Sequence, residues 1–159
     1  MQVLRRVPVT ATPETVRPFG TLIEPSEDGT PFGPADARLD LSQGTPRLYI
    51  MRLPARALRI PAITRHRRVT QCLASAAGRD WFIGLAAPGD GPHPDRITVF
   101  RIPGGTALAL HAGTWHAGPL FEGESADFLN LELADTNETD HDTVRLDTTY
   151  GAVIEIAPG

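Results

Sequence analysis

Short apolar stretches alternate along the chain with clusters of Gly, Pro and Asp. They recur roughly every ten residues, the pattern of strands joined by turns in an antiparallel sandwich or barrel. No single stretch is long and amphipathic enough to favour a helical bundle. We therefore predict an all-β fold, with strands at residues 38–41, 47–53, 57–60, 70–74, 81–86, 97–102, 106–110, 128–133 and 153–156.

One helix signal lies near the start of the chain. Thr12 can cap a helix whose first position is Pro13, and Pro18 with Gly20 would end it after about two turns, which predicts a short N-terminal helix. The acidic stretch 132–142 reads as a solvated loop, and so does the turn-rich segment 86–95. Nothing marks a boundary between domains, so residues 1–159 are expected to form a single domain.

The composition and charge of the chain argue against several classes of function. The net charge is -4 and the chain has no run of basic residues beyond Arg65, Arg67 and Arg68, which argues against nucleic acid and anionic membranes as partners. Lys is absent, which excludes Schiff-base chemistry on lysine. The single cysteine, Cys72, cannot form an internal disulfide, and the first residues lack the apolar core of a signal peptide. We therefore expect a cytoplasmic protein.

Two histidines flank a glycine turn at the end of a predicted strand. His111, Gly113 and His116 follow the spacing His, one residue, Gly, two residues, His. A Gly at positive φ would turn the chain back and carry His116 toward the inside of a barrel. Such a pair can ligate a metal or exchange protons near neutral pH. The alternative is one core histidine bonded to backbone and one solvated histidine.

A second group of polar residues lies in the segment 63–73. Thr64 and His66 are two residues apart, so they share a face if this segment is extended, and Gln71 follows five residues later. His66 and Gln71 can therefore converge. Arg65, next to the histidine, is a candidate for holding a substrate carboxylate, although an arginine cluster is more often a solvated face.

These two segments resemble the two motifs of the cupin superfamily. Gly113 and His116 match the second motif, with His111 standing where the motif has Pro. The first motif's ligands would fall on Thr64, His66 and Gln71. The resemblance implies a cupin-type antiparallel double-stranded β-helix barrel. It also implies a metal set of His66, Gln71 and His116, which lacks a carboxylate and would hold a divalent metal only weakly.

Within the cupins, the chain resembles the ureidoglycolate lyase family over most of its length. The likeness is carried by PFG at 18–20, LIE at 22–24, RH at 65–66, TQ at 70–71, HAGTWHAGPLF at 111–121 and DFL at 127–129. The family has Glu where Thr64 stands. The resemblance implies an enzyme that releases urea from ureidoglycolate to give glyoxylate, in purine nitrogen catabolism.

The implied reaction is an elimination from a hemiaminal that carries a hydroxyl, a ureido nitrogen and a carboxylate on one carbon. It needs a base for the hydroxyl proton and an acid for the departing urea. We assign His116 as the base or polariser and His66 as its partner in proton transfer, with no cofactor required. Substrate would be oriented by Gln71 and His111 and contacted by Thr64 and Trp115, and its carboxylate would be held by Arg65 or Arg52.

Two other functions stay open. A non-catalytic cupin that binds a small carboxylic acid is favoured by the absence of Glu at position 64. A metal-dependent cupin, such as a dioxygenase or isomerase, would need His66, His111 and His116 as three nitrogen ligands. We also expect a homodimer, because family members are typically dimeric and a small sandwich exposes edge strands, with the opening or closing strand extending the partner's sheet.

Overall fold

The computed structural model describes residues 1–158 and is dominated by β-strands. The strands that pair into its sheets are β1 Gln2–Arg6, β2 Val9–Thr10, β3 Gly20–Ile23, β4 Pro46–Pro54, β5 Arg59–Ile60, β6 Ala62–Arg65, β7 Cys72–Ser75, β8 Trp81–Ala86, β9 Thr98–Ile102, β10 Ala107–Leu110, β11 Trp115–Leu120, β12 Ser125–Leu133, β13 Asp142–Arg145 and β14 Ala152–Ile156. Two short helices follow β12 and β13, α1 at Thr136–Thr139 and α2 at Leu146–Tyr150, and a 3₁₀ turn spans Pro94–Arg96. No helix among these residues is long and apolar enough to cross a membrane.

The strands form two large sheets and one small one. The order is β3-β10-β7-β12-β4 in the five-stranded sheet, β13-β6-β11-β8-β9-β2 in the six-stranded sheet and β1-β14-β5 in the small sheet. Most pairs are antiparallel, while the N-terminal strands β1 and β2 pair in parallel with β14 and β9. The all-β fold predicted from the strand spacing is confirmed, and the architecture is consistent with the cupin-type barrel that the resemblance implies.

Two apolar clusters hold the layers together. One includes Leu73, Phe100, Leu108 and Phe128 and joins strands of the two large sheets; the other includes Ile63, Trp115 and Ile154 and joins the six-stranded sheet to the small one. Strand β8 contributes to both, because its alternate side chains enter different clusters, and all its residues are buried. The six-stranded sheet is therefore a middle layer, and alternation along its strands decides which side chains reach the functional site.

Several local predictions are wrong. The segment from Thr12 to Gly20 is a run of turns and not a helix: its only two bonds of helical spacing join Thr12 to Val16 and Val16 to Gly20. Two prolines in so short a segment remove backbone donors, and two isolated helical turns are marginal in any sequence. Residues 38–41 form no strand. The acidic stretch 132–142 is no solvated loop either, since it contains α1 and buries both Glu132 and Asp140.

Candidate active site

His66 and His116 lie together on neighbouring strands of the six-stranded sheet. His116 pairs with Thr64 across β11 and β6, and His66 directly follows the end of β6. Both side chains are buried, and their ring centroids are 5.0 Å apart with 52° between the ring planes. Gly113, at a φ of 86°, forms the predicted turn, and its backbone N–H donates to the carbonyl of His66 at 2.7 Å. That bond fixes the two histidine segments to each other.

His66 has a fixed ring orientation. Its Nδ1 is 2.7 Å from the carbonyl oxygen of Asp140, an acceptor only, so Nδ1 carries a hydrogen and donates it. The Asp140 carboxylate in turn accepts from the backbone N–H groups of Arg67 and Arg68, both at 2.9 Å. Asp140 therefore holds both the ring of His66 and the backbone of the two residues that follow it. Any proton that His66 gains or loses in a reaction is on Nε2.

His116 differs from His66 in its surroundings, which favour the neutral form of its ring. Burial, followed by repulsion from His66, lowers the pKa of His116 to about 3. Its Nδ1 has no hydrogen-bond partner among residues 1–158. The ring is thus neutral at physiological pH and able to accept a proton or a hydrogen bond, and a bound anion would increase its basicity.

The two histidines line two cavities that share part of their walls. An outer cavity of about 750 Å³ also contains Thr64, and an inner pocket of about 150 Å³ also contains Gln71. Both are lined by His66, His116, Arg56, Asn137 and Gly118. A cavity of about 150 Å³ accommodates a molecule the size of benzene. The inner pocket therefore suits a small polar molecule, with the outer cavity as its approach.

A buried polar network lies behind the inner pocket. Gln71 donates from Nε2 to Oδ1 of Asn130 at 3.0 Å, and Asn130 donates from Nδ2 to Oε1 of Glu132 at 2.9 Å. Tyr49 donates to the same carboxylate oxygen at 3.0 Å. Burial and the charge of Glu132 raise the pKa of Tyr49, which keeps its hydroxyl protonated. Residues from β4, β7 and β12 are thus joined into one hydrogen-bonded unit.

The sequence matches a known protein family over almost its whole length. A model described as ureidoglycolate lyase matches residues 1–153, which include every site residue named above. The chain belongs to the ureidoglycolate lyase family. It is also 28% identical, over 100 residues, to the ureidoglycolate lyase of Azotobacter vinelandii (strain DJ / ATCC BAA-1303). That alignment covers 60% of this chain and 60% of the relative, so the chain spans about three fifths of the relative's length.

The two arginines expected to hold the carboxylate lie outside the cavities, and a different arginine lines them. Arg65 is on the opposite face of β6, where Nε contacts Asp142 at 2.9 Å and the guanidinium lies 4.6 Å from the centroid of the Trp115 ring. Its hydrogen bond lowers the pKa of Asp142. Arg52 is on the outer face of β4, bound to both carboxylate oxygens of Asp127. Arg56, in the loop after β4, lines both cavities.

Two other expected contacts also lie away from the cavities. Trp115 neighbours His116 in sequence and so faces the other side of β11, where it is buried and donates from Nε1 to the Gly89 carbonyl at 3.1 Å. His111 is exposed at the end of β10, with Nε2 3.1 Å from the Arg17 carbonyl. Thr64 does line the outer cavity, as the alternation along β6 predicts.

The side chains at this site do not fit a tightly bound divalent metal. His111 lies outside the cavities, and the expected ligands His66, Gln71 and His116 offer two imidazoles and one amide oxygen. Within residues 1–158, no group of three or more His, Cys, Asp or Glu side chains is placed to hold a metal ion. Hard divalent ions favour carboxylate ligands, and a two-imidazole site is usually completed by a third imidazole, a thiolate or a carboxylate. The three-histidine metal site that a metal-dependent cupin would need is not formed.

The sequence alone did not predict Arg56, Asn137, Asp140, Glu132, Tyr49 or Asn130 as site residues. Arg56 and Asn137 lie in segments without a recognisable motif, and Asp140 was assigned to a solvated stretch. Glu132 carried one usable signal: it alternates with Phe128 and Asn130 on β12, so all three share the inward face. An acidic residue on the inward face of a central strand indicates a buried polar site.

Proposed function

We propose that this chain is a ureidoglycolate lyase that releases urea and glyoxylate from ureidoglycolate. Membership of the family supports the reaction class. The observation that carries the proposal is the pair His66 and His116 in one cavity with Arg56. An elimination from a carboxylate-bearing hemiaminal needs two proton-transfer positions and one cation, and this cavity contains all three.

One proton and two electron pairs move in the proposed step. As the substrate hydroxyl loses its proton, the C–O bond becomes the carbonyl of glyoxylate. The C–N bond then breaks, and the urea nitrogen takes up a proton. His116, neutral in the free protein, accepts the hydroxyl proton, and the negative charge of the bound substrate makes the ring more basic. Protonated His116 passes this proton to Nε2 of His66, since Nδ1 is committed to Asp140, and Nε2 delivers it to the departing urea nitrogen.

Arg56 is the proposed carboxylate clamp. It is the only arginine among residues 1–158 that lines both cavities. Its Nη1 is 3.4 Å from the Pro119 carbonyl, a long contact that leaves guanidinium donors available to a substrate carboxylate. The proposed chemistry proceeds on side chains alone, and a divalent metal would bind weakly and serve only as an auxiliary.

A second candidate function is supported by Thr64. This residue stands on the outer cavity wall and bonds Thr143 through its hydroxyl at 2.9 Å, so it brings no carboxylate to the cavity. A chain without that carboxylate could bind a small acid without converting it. Incubation with ureidoglycolate separates the two functions: the lyase forms glyoxylate faster than spontaneous breakdown does, and a binding protein does not.

We also propose a homodimer that buries the outer face of β4 and β12. Leu48, Ile50 and Leu129 project there with 66%, 53% and 39% of their surface exposed, and Ile50 pairs with Leu129 across the strands. Neighbouring exposed apolar side chains on a long edge strand favour association with a second copy. Of the two terminal strands that we expected to extend the partner's sheet, β14 lies between β1 and β5, whereas β1 is an edge strand of the small sheet.

A further inference from the structure

The network behind the inner pocket has only one consistent direction of hydrogen bonding. A carboxylate oxygen accepts and does not donate, so Asn130 must present its NH₂ group to Oε1 of Glu132. The Tyr49 hydroxyl oxygen, 3.1 Å from the same nitrogen, also accepts from it, because the Tyr49 hydrogen is used on Glu132, and Met51 Sδ is a further acceptor at 3.6 Å. The amide orientation of Asn130 is therefore dictated by Glu132.

The same reasoning extends to Gln71. With its nitrogen turned to Glu132, Asn130 offers its Oδ1 to Gln71, which must respond with Nε2 at 3.0 Å. The amide oxygen of Gln71 is then its remaining polar atom, and this Oε1 is buried without a donor among residues 1–158. A buried acceptor without a donor is costly, and a ligand that brings an N–H group removes that cost. Gln71 lines the inner pocket beside both histidines.

We propose that Oε1 of Gln71 accepts a hydrogen bond from an N–H of the ligand's ureido group, and that Glu132 is the positioning residue that enforces this orientation through Asn130. The inference rests on the proposed function for the identity of the ligand and adds the origin of its selectivity. The pocket prefers an acid whose far end donates N–H groups over an acid of equal shape that cannot donate.

Two unreactive acids test this preference. Ureidoacetate is the substrate without its hydroxyl, so it cannot eliminate urea. Levulinate has the same shape, with CH₂ and CH₃ in place of NH and NH₂. Titration calorimetry on the unmodified protein should show that ureidoacetate binds about tenfold more tightly than levulinate. This is the expected effect when a buried acceptor gains a hydrogen-bond donor from one ligand and not from the other.

The decisive variant is Glu132→Gln, because an amide at this position can donate and so frees Asn130 and Gln71 to reverse. We expect the preference for ureidoacetate to fall to about twofold or less while levulinate binds as before. A purely structural role would weaken both acids equally and leave the ratio unchanged. Glu124→Gln makes the same chemical change at an exposed site and should keep the full preference. If Glu132→Gln does not fold, Gln71→Met removes the acceptor directly and should abolish the preference.

Equal binding of the two acids by the unmodified protein, or a full preference in Glu132→Gln or Gln71→Met, would overturn the inference. Because neither acid reacts, the result does not depend on turnover. A preserved preference without glyoxylate formation would refute the lyase proposal and leave the ureido selectivity standing.

Discussion

His66 and His116 lie 5.0 Å apart between ring centroids, yet only His66 has a hydrogen-bond partner for Nδ1 within residues 1–158. The Asp140 carbonyl fixes one ring, while burial and the neighbouring ring keep the other neutral. The proposed function uses this asymmetry to give the two histidines different parts in proton transfer. It also has consequences for stability that can be measured without substrate.

Acid should destabilise the protein partly through His116. Its pKa is about 3 in the folded chain against an ordinary value of 6.5, so the unfolded chain binds a proton that the folded chain excludes. The free energy of unfolding therefore falls as pH drops from about 6.5 toward 3, and His116 contributes no pH dependence above that window. Urea unfolding at pH 7 and pH 4.5 should show a smaller loss for His116→Ala than for the unmodified protein. Equal losses would contradict the depressed pKa.

Removal of Arg56 should weaken substrate binding. Arg56→Ala should raise KM about tenfold or more, because a charge-assisted hydrogen bond to the carboxylate is lost, with a smaller effect on kcat. The matched control is Arg52→Ala, which removes an arginine whose side chain is 78% exposed and paired with Asp127 at the surface. That variant should keep an unchanged KM. A KM that responds to Arg52 and not to Arg56 would place the carboxylate elsewhere.

Loss of the Asp140 carboxylate should cost stability. Asp140→Ala leaves the backbone donors of Arg67 and Arg68 without their acceptor, and we expect the free energy of unfolding to drop by about 1–3 kcal/mol. Asp90→Ala, in an exposed loop, should change it by less than about 0.5 kcal/mol. Similar values for the two variants in urea unfolding would show that Asp140 does not anchor the His66 segment.

The proposed dimer predicts that a charge at Ile50 on β4 prevents association. Ile50→Glu places a charge in the apolar face beside Leu129 and should convert the dimer to a monomer in light scattering at micromolar concentration. Leu39→Glu, an equivalent change at an exposed loop position, should leave the mass unchanged. A monomer mass for the unmodified protein would end this proposal without affecting the fold.

The local pattern of apolar and polar residues was enough to predict most of the strands and part of the candidate site. The apolar run bounded by turn formers predicted β8 with its observed limits, and alternation along β6 put Thr64 and His66 on one face. The same alternation, applied to Arg65 and Trp115, would have placed both on the opposite face. Adjacency in sequence to a functional histidine is misleading in a strand, because neighbours point in opposite directions.

Contacts between residues that are far apart in sequence could not be predicted from the local pattern. The Asp140 carbonyl and His66 are 74 residues apart, and no nearby residue indicates their contact. Arg56 reaches the cavities from a loop, whose course is set by the strands it connects and not by its own residues. The polar network depends on Glu132 meeting residues of β4 and β7, which only the sheet order brings together.

The central claim is that His116 transfers a proton in urea elimination, and its most direct test is glyoxylate formation from ureidoglycolate, corrected for spontaneous breakdown. The unmodified protein should exceed the spontaneous rate, and folded His116→Ala should be slower by about a hundredfold to ten-thousandfold, the usual contribution of a proton-transfer group. Equal rates for the two proteins, or no rate above the spontaneous one for either, would contradict the account.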